Sequence, residues 1–295
     1  MRLVTNPATN LPPEVLEALG IVMMPQQVVV DEVHHDTRGD VTFETIDDWI
    51  GNAKSHPYVL GTSAAEFVTH LSRLGKEDAE LVVVTTSRKL IQSYDACQTA
   101  CRTLGKHPKW KHLDVQIVDS RSTDIGTGMV IAYAAAARDA GLSPAEVARA
   151  CEEFAAAMRV AFVVQEMDNL VKGGRASFLK AWAAKFFGVR PLIEFVDGQL
   201  EPARTYKAKL DPTDVLRDWA LSGRGCSDGT PVWIACSHGD IPEDAERLAD
   251  KMAESLDVRR RFVVPLAPSI YLHAGRGALT LGVVPLEGLS WIPST

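Results

Sequence analysis

Short apolar runs alternate with helical patterns over the first half of the chain, and this alternation limits the fold more than any other feature. The runs are rich in valine and isoleucine and end at turn residues, which is typical of strands. Near-continuous apolar strands separated by helices predict a parallel sheet covered on both faces. The predicted strands are Met1–Thr5, Ile21–Val30, Leu81–Thr86 and Val115–Val118, and the predicted helices are Pro13–Leu19, Thr42–Asn52, Ala64–Leu74, Leu90–Leu104 and Gly128–Ala140.

A second domain is expected to follow a helix that begins at Ser143. At 295 residues and 46% hydrophobic, the chain can bury a large core and is predicted to divide into domains 1–155 and 156–295. Ser143–Glu146 supplies a cap, a proline at the first position and an acid in the first turn. Beyond it, the predicted strands are Val160–Val164, Leu192–Val196, Val232–Cys236 and Phe262–Pro265, with a hairpin turn at Asp197-Gly198 and a helix at Pro242–Leu256.

The composition excludes several classes of protein. A net charge of −7 disfavours a general nucleic-acid binder, because phosphate contacts need concentrated positive charge. The five cysteines are mostly widely spaced, and no second pair joins Cys97 and Cys101, so we expect reduced thiols in a cytoplasmic protein with no metal and no cofactor. No basic-then-apolar leader opens the chain and no apolar run reaches membrane-spanning length, which predicts no stable membrane insertion.

One histidine near the end of the chain, His273, lies between an apolar run and two glycines. The run Pro268–Leu272 predicts a strand, and Gly275 and Gly277 allow tight backbone conformations that leave N–H groups open to a ligand. An imidazole beside bare amides suits a small anion such as a carboxylate or a phosphate. A histidine at a strand-to-turn junction without a ligand is the alternative, and this motif alone leaves both open.

Six segments, in the right order and at the right spacing, resemble motifs of the DegV family of bacterial fatty-acid-binding proteins. Val4–Pro12 is similar to the family's V-T-D-S-T-A-D-L-P start, Leu170–Arg175 matches L-x-x-G-G-R, and His273–Gly277 resembles H-x-G-P-G. The other three segments are Gly61–Ser63, Val118–Gly128 and Arg190–Gly198. The correspondence covers essentially the whole chain.

The resemblance implies a two-domain α/β protein, with a parallel sheet between two helical layers and a second α/β domain built on a mixed sheet. It also implies one long-chain fatty acid in a buried apolar tunnel between the domains. A fatty-acid kinase catalytic subunit would phosphorylate the presented carboxylate for phospholipid synthesis. The chain itself would be a carrier and not an enzyme.

The resemblance assigns ligand-binding roles by motif position. Thr62 and Ser63 are the expected hydroxyl donors to the carboxylate, and His273 is the imidazole donor, with Gly275 beside it. Ser93 falls where the family has a threonine. It could cap a helix or face the ligand, and both readings stay open.

Three basic residues are expected to contact the kinase. Arg175 follows two glycines, and its guanidinium can form bidentate bonds to phosphate or carboxylate. Lys207 and Lys209 match positions where the family often carries arginines. Solvated surface charge is the alternative for all three.

Six residues depart from the family's pattern near the expected head group, among them Tyr271-Leu272, where G-T is common before the histidine. Asn6-Pro7 replaces D-S, and Ile91-Gln92 replaces S-G, so a carboxylate, two hydroxyls and a flexible residue are missing. These changes make the pocket more apolar and more crowded. They leave acyl chain length and kinase coupling open.

Two other functions stay open at this point. A hydrolase or a small-molecule kinase acting through His273 is disfavoured, since no general base, metal cluster or nucleotide loop accompanies the histidine. A lipid-sensing regulatory protein would bind the acid without supporting acyl phosphate synthesis.

Overall fold

The computed structural model describes residues 1–39, 41–174, 188–223 and 225–293. Its strands are β1 (Arg2–Thr5), β2 (Ile21–Met23), β3 (Gln27–Val30), β4 (Val33–Asp36), β5 (Tyr58–Leu60), β6 (Glu80–Thr85), β7 (Asp114–Asp119), β8 (Arg159–Val163), β9 (Val189–Val196), β10 (Gln199–Lys207), β11 (Pro231–His238), β12 (Asp257–Pro265) and β13 (Leu279–Pro285). Its helices are α1 (Pro13–Ala18), α2 (Phe43–Asn52), α3 (Ala64–Leu74), α4 (Ser93–Gly105), α5 (Ile125–Asp139), α6 (Pro144–Ala157), α7 (Asp168–Lys172), α8 (Pro212–Leu221), α9 (Pro242–Ala253) and α10 (Pro268–Ala274).

The predicted parallel sheet is confirmed, with the strand order β2-β1-β6-β7. Successive side chains of a strand point to opposite faces of a sheet. In β6, Leu81 and Val83 accordingly belong to the core with α3 and α4, whereas Val82 and Val84 belong to the core with α5 and α6. Burial on both faces explains why this strand is apolar throughout. The carboxyl ends of β1, β6 and β7 lead into loops at one edge of the sheet.

A mixed sheet forms the second half of the fold, in the order β10-β9-β8-β13-β11-β12. Strands β11 and β12 are parallel, and the other neighbours are antiparallel. Asp197 and Gly198, with φ of 48° and 82°, form the predicted hairpin turn between β9 and β10. One face of the sheet packs on α8 and α9. The opposite face packs on α5 and α6 along β11 and β12, and on α7 and α10 along β8 and β9.

A small antiparallel sheet, β4-β3-β5, corrects the prediction of a single strand over Ile21–Val30. Strand β2 stays in the parallel sheet, and β3 leaves it to pair with β4 and β5. Pro25 lies between them and lacks the N–H that a central strand donates. The prediction of one strand is therefore wrong, and the break places Gln26 between two sheets.

The segment before His273 is the helix α10, so the prediction of a strand there is wrong. Pro268 occupies the first helical position, where its fixed φ and missing N–H are tolerated. The Tyr271 N–H donates to the Ala267 carbonyl at 2.9 Å. A short apolar run does not distinguish a buried strand from a buried helix. The helix puts Ser269 and His273, four positions apart, on one face.

The expected division after residue 155 falls in the last turn of α6, just before β8. Helices α5 and α6 share one buried cluster with the parallel sheet and with Trp233 and Val284 of the mixed sheet. The two halves of the chain therefore have a common apolar core. The assignment of separate domains 1–155 and 156–295 stays a prediction.

Candidate functional site

An apolar cavity lies between the loop edge of the parallel sheet, the mixed sheet and the small sheet. Including the part open to solvent, it encloses about 770 Å³. Most of its lining is hydrophobic and comes from both halves of the chain. These side chains are Ala8, Val59, Leu90, Ile91, Val160, Phe162, Leu170, Phe195, Leu200, Ile270 and Ala274. Such a wall suits the hydrocarbon part of a ligand.

His273 brings an imidazole to the wall of this cavity. It lies in the last turn of α10 and is 9% exposed. Gly275 ends the helix with φ of 72°, a conformation that favours glycine, and its N–H donates to the Tyr271 carbonyl at 2.8 Å. Gly275 therefore shapes the turn beside His273, and its N–H is used inside the protein. Direct contact between Gly275 and a ligand stays a prediction.

The first glycine of the Leu170–Arg175 motif, Gly173, approaches the His273 ring. A side-chain carbon on Gly173 would lie closer than 3.0 Å to Nδ1 of that imidazole. Leu170, one turn earlier on α7, lines the cavity. The end of α7 thus limits where the imidazole can lie.

We expect Gly173→Ala to displace the His273 imidazole, because the added methyl group enters space that the ring occupies. Gly174→Ala is the matched control. Gly174 has φ of 70° and open space around it, so a side chain there strains the backbone by about 1–2 kcal/mol without touching the ring. The imidazole resonances of His273 in NMR spectra should shift in the first variant and stay in place in the second. Unshifted resonances in Gly173→Ala would contradict this packing.

A second histidine, His56, lies beside His273, with the two ring centroids 6.4 Å apart. His56 comes just before β5 and is half-buried. Burial lowers the pKa of His56, and the positive charge of Lys172 lowers it further. A neutral imidazole near pH 7 follows. Neither periodicity nor a motif in the sequence pointed to His56.

Thr62 and Ser63 both have hydrogen-bond partners inside the protein. Thr62 is buried, and its Oγ1 donates to the Pro25 carbonyl at 2.6 Å. Ser63 is exposed and caps α3, forming a capping box with Glu66. Neither side chain lines the cavity. Their role as donors to a ligand stays a prediction.

Ser93 lies just behind the cavity wall. It is the first residue of α4 and is buried, and the N-cap position belongs to Gln92. A side-chain carbon on Gly61 would lie 2.7 Å from its Oγ and 2.8 Å from Ile91, which lines the cavity. The fold thus brings the Gly61–Ser63 loop and Ser93 together. Among the described residues, Ser93 Oγ has no hydrogen-bond partner.

Gln26 and Ser269 are cavity-lining polar residues that the sequence reasoning missed. Each is 2% exposed, and neither Gln26 Oε1 nor Ser269 Oγ has a hydrogen-bond partner within the described part of the chain. Buried polar atoms are normally paired. The spacing of four between Ser269 and His273 indicates Ser269 once the segment is assigned to a helix. No comparable signal marks Gln26.

Asp124 forms a buried link between the two halves of the chain at the cavity wall. Its carboxylate accepts hydrogen bonds from Asn10 Nδ2 at 2.9 Å, from the Ser237 hydroxyl and from the Ala267 N–H at 3.2 Å. Burial raises the pKa of this carboxyl group to about 6, against the opposing effect of the hydrogen bonds. Its φ of 53° lies in the region that favours glycine. The Val118–Gly128 motif pointed to this loop but not to the aspartate.

Of the basic residues expected at a partner surface, Arg175 lies outside the described residues. Lys207 and Lys209 are exposed. Lys207 ends β10, about 23 Å along the strand from the cavity-lining Leu200. Contact between these residues and a kinase stays a prediction.

Two other kinds of feature, a metal site and a membrane-spanning helix, are absent from the described ranges. Within them, no group of three or more His, Cys, Asp or Glu side chains could hold a metal ion. No helix in the same ranges is long and apolar enough to cross a bilayer. The cavity and its few polar side chains are the candidate site.

Comparison with known proteins identifies the family. A family model described as "uncharacterised protein, DegV family" matches residues 1–286. The chain belongs to the DegV family. A DegV domain-containing protein of Staphylococcus aureus is 23% identical over 285 residues, which cover 96% of this chain and 98% of that protein. The resemblance that the six motifs indicated is therefore confirmed.

Two solved DegV structures share the mixed α/β fold. A fatty-acid-binding DegV family protein from Thermus thermophilus has a TM-score of 0.83 at 21% identity, covering 97% of this chain and 99% of that chain. A DegV family protein from Eubacterium eligens, loaded with heptadecanoic acid, has a TM-score of 0.82 at 19% identity, with coverage of 97% and 99%. At these identities the likeness shows the fold, and it confirms the predicted architecture of a parallel sheet and a second, mixed sheet.

The residues that depart from the DegV motifs are accommodated in two ways. Asn6 is buried, and its Oδ1 accepts hydrogen bonds from the Thr86 hydroxyl and the Ala8 N–H, both at 3.0 Å. Ile91 lines the cavity, whereas Gln92 is exposed just before α4. Asn6 thus has a structural role, and Ile91 makes the wall more apolar than a serine would.

Proposed function

We propose that this DegV protein binds a long-chain fatty acid, with the hydrocarbon tail in the cavity and the carboxylate beside His273. Each buried methylene contributes about 0.8 kcal/mol, so a tail of about sixteen carbons supplies roughly 10 kcal/mol before ordering costs. A carboxylate leaves water at a high cost unless hydrogen-bond donors meet it. The observation that carries the proposal is an imidazole on the wall of a mostly apolar cavity. Fatty-acid binding in the Thermus and Eubacterium relatives supports it.

The proposal extends to a non-enzymatic carrier whose bound carboxylate is phosphorylated by a partner fatty-acid kinase, for phospholipid synthesis in the cytoplasm. Imidazole and hydroxyl donors hold a carboxylate without a strong ion pair, which leaves it reactive toward a phosphoryl group. Arg175, Lys207 and Lys209 are the proposed kinase contacts, since basic side chains pair with acidic surfaces and phosphates. The five free thiols fit a reducing compartment.

Native mass spectrometry of the gently purified protein tests the binding. We expect a mass increase equal to one fatty acid, which extraction under denaturing conditions should recover. A protein that carries no fatty acid, and takes none up from a mixture of saturated and unsaturated acids, would contradict the proposal. Synthesis of acyl phosphate with an added fatty-acid kinase and ATP tests the carrier role. Binding without that synthesis would indicate a lipid-sensing regulatory protein.

His273→Ala is expected to weaken fatty-acid binding by about tenfold to a hundredfold, because a hydrogen bond to a charged group contributes about 1.5–3 kcal/mol. Binding of the methyl ester of the same acid, whose head group carries no charge, should change much less. Isothermal titration calorimetry can measure both ligands. His70→Ala is the control, since His70 is half-buried on α3 and does not line the cavity. If His273→Ala lost the same affinity for the acid and the ester, or lost none for either, His273 would not contact the head group.

A further inference from the structure

We infer that the cavity selects an acyl chain that carries a hydroxyl group in addition to its carboxylate. This inference rests on the proposed function and concerns Gln26 and Ser269, two buried polar side chains on the cavity wall. A plain hydrocarbon tail presents only methylenes to them, and a methylene group forms no conventional hydrogen bond.

The two side chains differ from other polar residues that line the same cavity. Thr86 Oγ1 donates to Asn6 at 3.0 Å, and the Asp124 carboxylate accepts three hydrogen bonds from the protein. In contrast, Gln26 Oε1 and Ser269 Oγ have no hydrogen-bond partner in the residues that the structure describes. Leaving a buried polar atom unpaired destabilises a protein or a complex, so native sites rarely do it. These atoms are therefore available to a polar group of the ligand.

A ligand hydroxyl matches the chemistry of both side chains. Its O–H can donate to the amide oxygen of Gln26, and its lone pairs can accept from the hydroxyl of Ser269. An ionised carboxylate has no proton to donate and cannot pair with an amide oxygen. Ser269 also lies one helical turn from His273, about 6 Å along the axis of α10. The hydroxyl and the carboxylate are therefore expected to be separate groups on the ligand.

The inference makes a quantitative prediction about ligand preference. Palmitic acid is compared with palmitic acids hydroxylated near the carboxylate, at mid-chain or near the methyl end. At least one hydroxylated acid should bind about tenfold more tightly than palmitic acid, because a hydrogen bond is strengthened in dry surroundings. Gln26→Leu and Ser269→Ala should each remove this preference. They should weaken binding of the hydroxylated acid and leave palmitic acid bound as tightly as before, or more tightly.

Thr86→Val is the matched control, because the Thr86 hydroxyl lines the same cavity but is bonded to Asn6. Thr86→Val should leave unchanged the ratio of the affinity for the hydroxylated acid to the affinity for palmitic acid. Palmitic acid that binds as tightly as every hydroxylated analogue would overturn the inference and leave the proposed function intact. Equal losses for both kinds of acid in Ser269→Ala would put Ser269 at the carboxylate and also overturn it. Wild-type protein that binds none of these acids would overturn the proposed function itself.

Discussion

Ala274→Trp is expected to weaken binding of palmitic acid about a thousandfold while the protein stays folded. Ala274 borders the cavity from the last residue of α10, next to His273. An indole at this position displaces about five methylenes of the tail at about 0.8 kcal/mol each, which amounts to about 4 kcal/mol, or three orders of magnitude in Kd. Isothermal titration calorimetry, or competition with a fluorescent fatty acid, can measure the loss.

A matched variant separates this effect from a general effect of tryptophan. Ala253→Trp adds the same ring at the exposed end of α9 and should leave binding unchanged. The free energy of unfolding of Ala274→Trp should fall by no more than about 1–3 kcal/mol, the usual cost of enlarging a packed side chain. Full affinity in a folded Ala274→Trp protein would show that the tail lies elsewhere.

The parts of the fold that could be predicted from the sequence are those in which local pattern and tertiary packing agree. In β6, Leu81 and Val83 face one helical layer and Val82 and Val84 face the other, so an unbroken apolar run is what a doubly covered strand requires. The Asp197-Gly198 turn is local as well, because an Asp-Gly pair adopts positive φ at both positions.

The errors arise where a short apolar run fits two structures. Ile21–Val30 contains two strands of different sheets, and the single proline between them is weaker evidence than the five valine and isoleucine residues of this run. The run before His273 forms a helix because Pro268 starts one and because the surrounding cluster buries Tyr271 and Leu272. Length and flanking residues are the only local evidence in such cases.

The polar residues of the site could be predicted only where a motif marked them. His273 stands out as an imidazole beside glycines, and the structure places it on the cavity wall. Asp124 is different, because Ser237 and Ala267 lie 113 and 143 positions away in the sequence. The partner of the Thr62 hydroxyl also lies far away in the sequence. Its Oγ1 donates to the backbone carbonyl of Pro25, 37 positions earlier, and no local pattern predicts this hydrogen bond.

The same long-range hydrogen bonds make Asp124→Ala a severely destabilising change. We expect the free energy of unfolding to fall by at least about 3 kcal/mol at pH 5, because each buried donor left unpaired costs about 1–3 kcal/mol. Three donors lose their acceptor, on Asn10, Ser237 and Ala267. Urea unfolding followed by circular dichroism can measure the loss.

The loss should be smaller at pH 8 than at pH 5. The pKa of Asp124 is raised from 3.8 to about 6, so the folded protein holds this proton more tightly than the unfolded chain does. The stabilisation that protonation provides is therefore complete below pH 3.8 and is lost as the pH rises through about 6. One pKa unit corresponds to about 1.4 kcal/mol, so ionisation of Asp124 lowers wild-type stability by about 3 kcal/mol over this window. Asp124→Ala lacks this contribution to the pH dependence.

Asp124→Asn separates the hydrogen bonds from the ionisation. An amide oxygen in place of Oδ1 still accepts from Asn10 and from the Ala267 N–H, and the amide nitrogen can donate to the Ser237 hydroxyl. Asparagine also tolerates positive φ better than most residues. We expect this variant to lie within about 1 kcal/mol of the wild type at pH 5 and to be more stable than the wild type at pH 8. Equal losses in the alanine and asparagine variants, at both pH values, would show that these hydrogen bonds do not hold the two halves of the chain together.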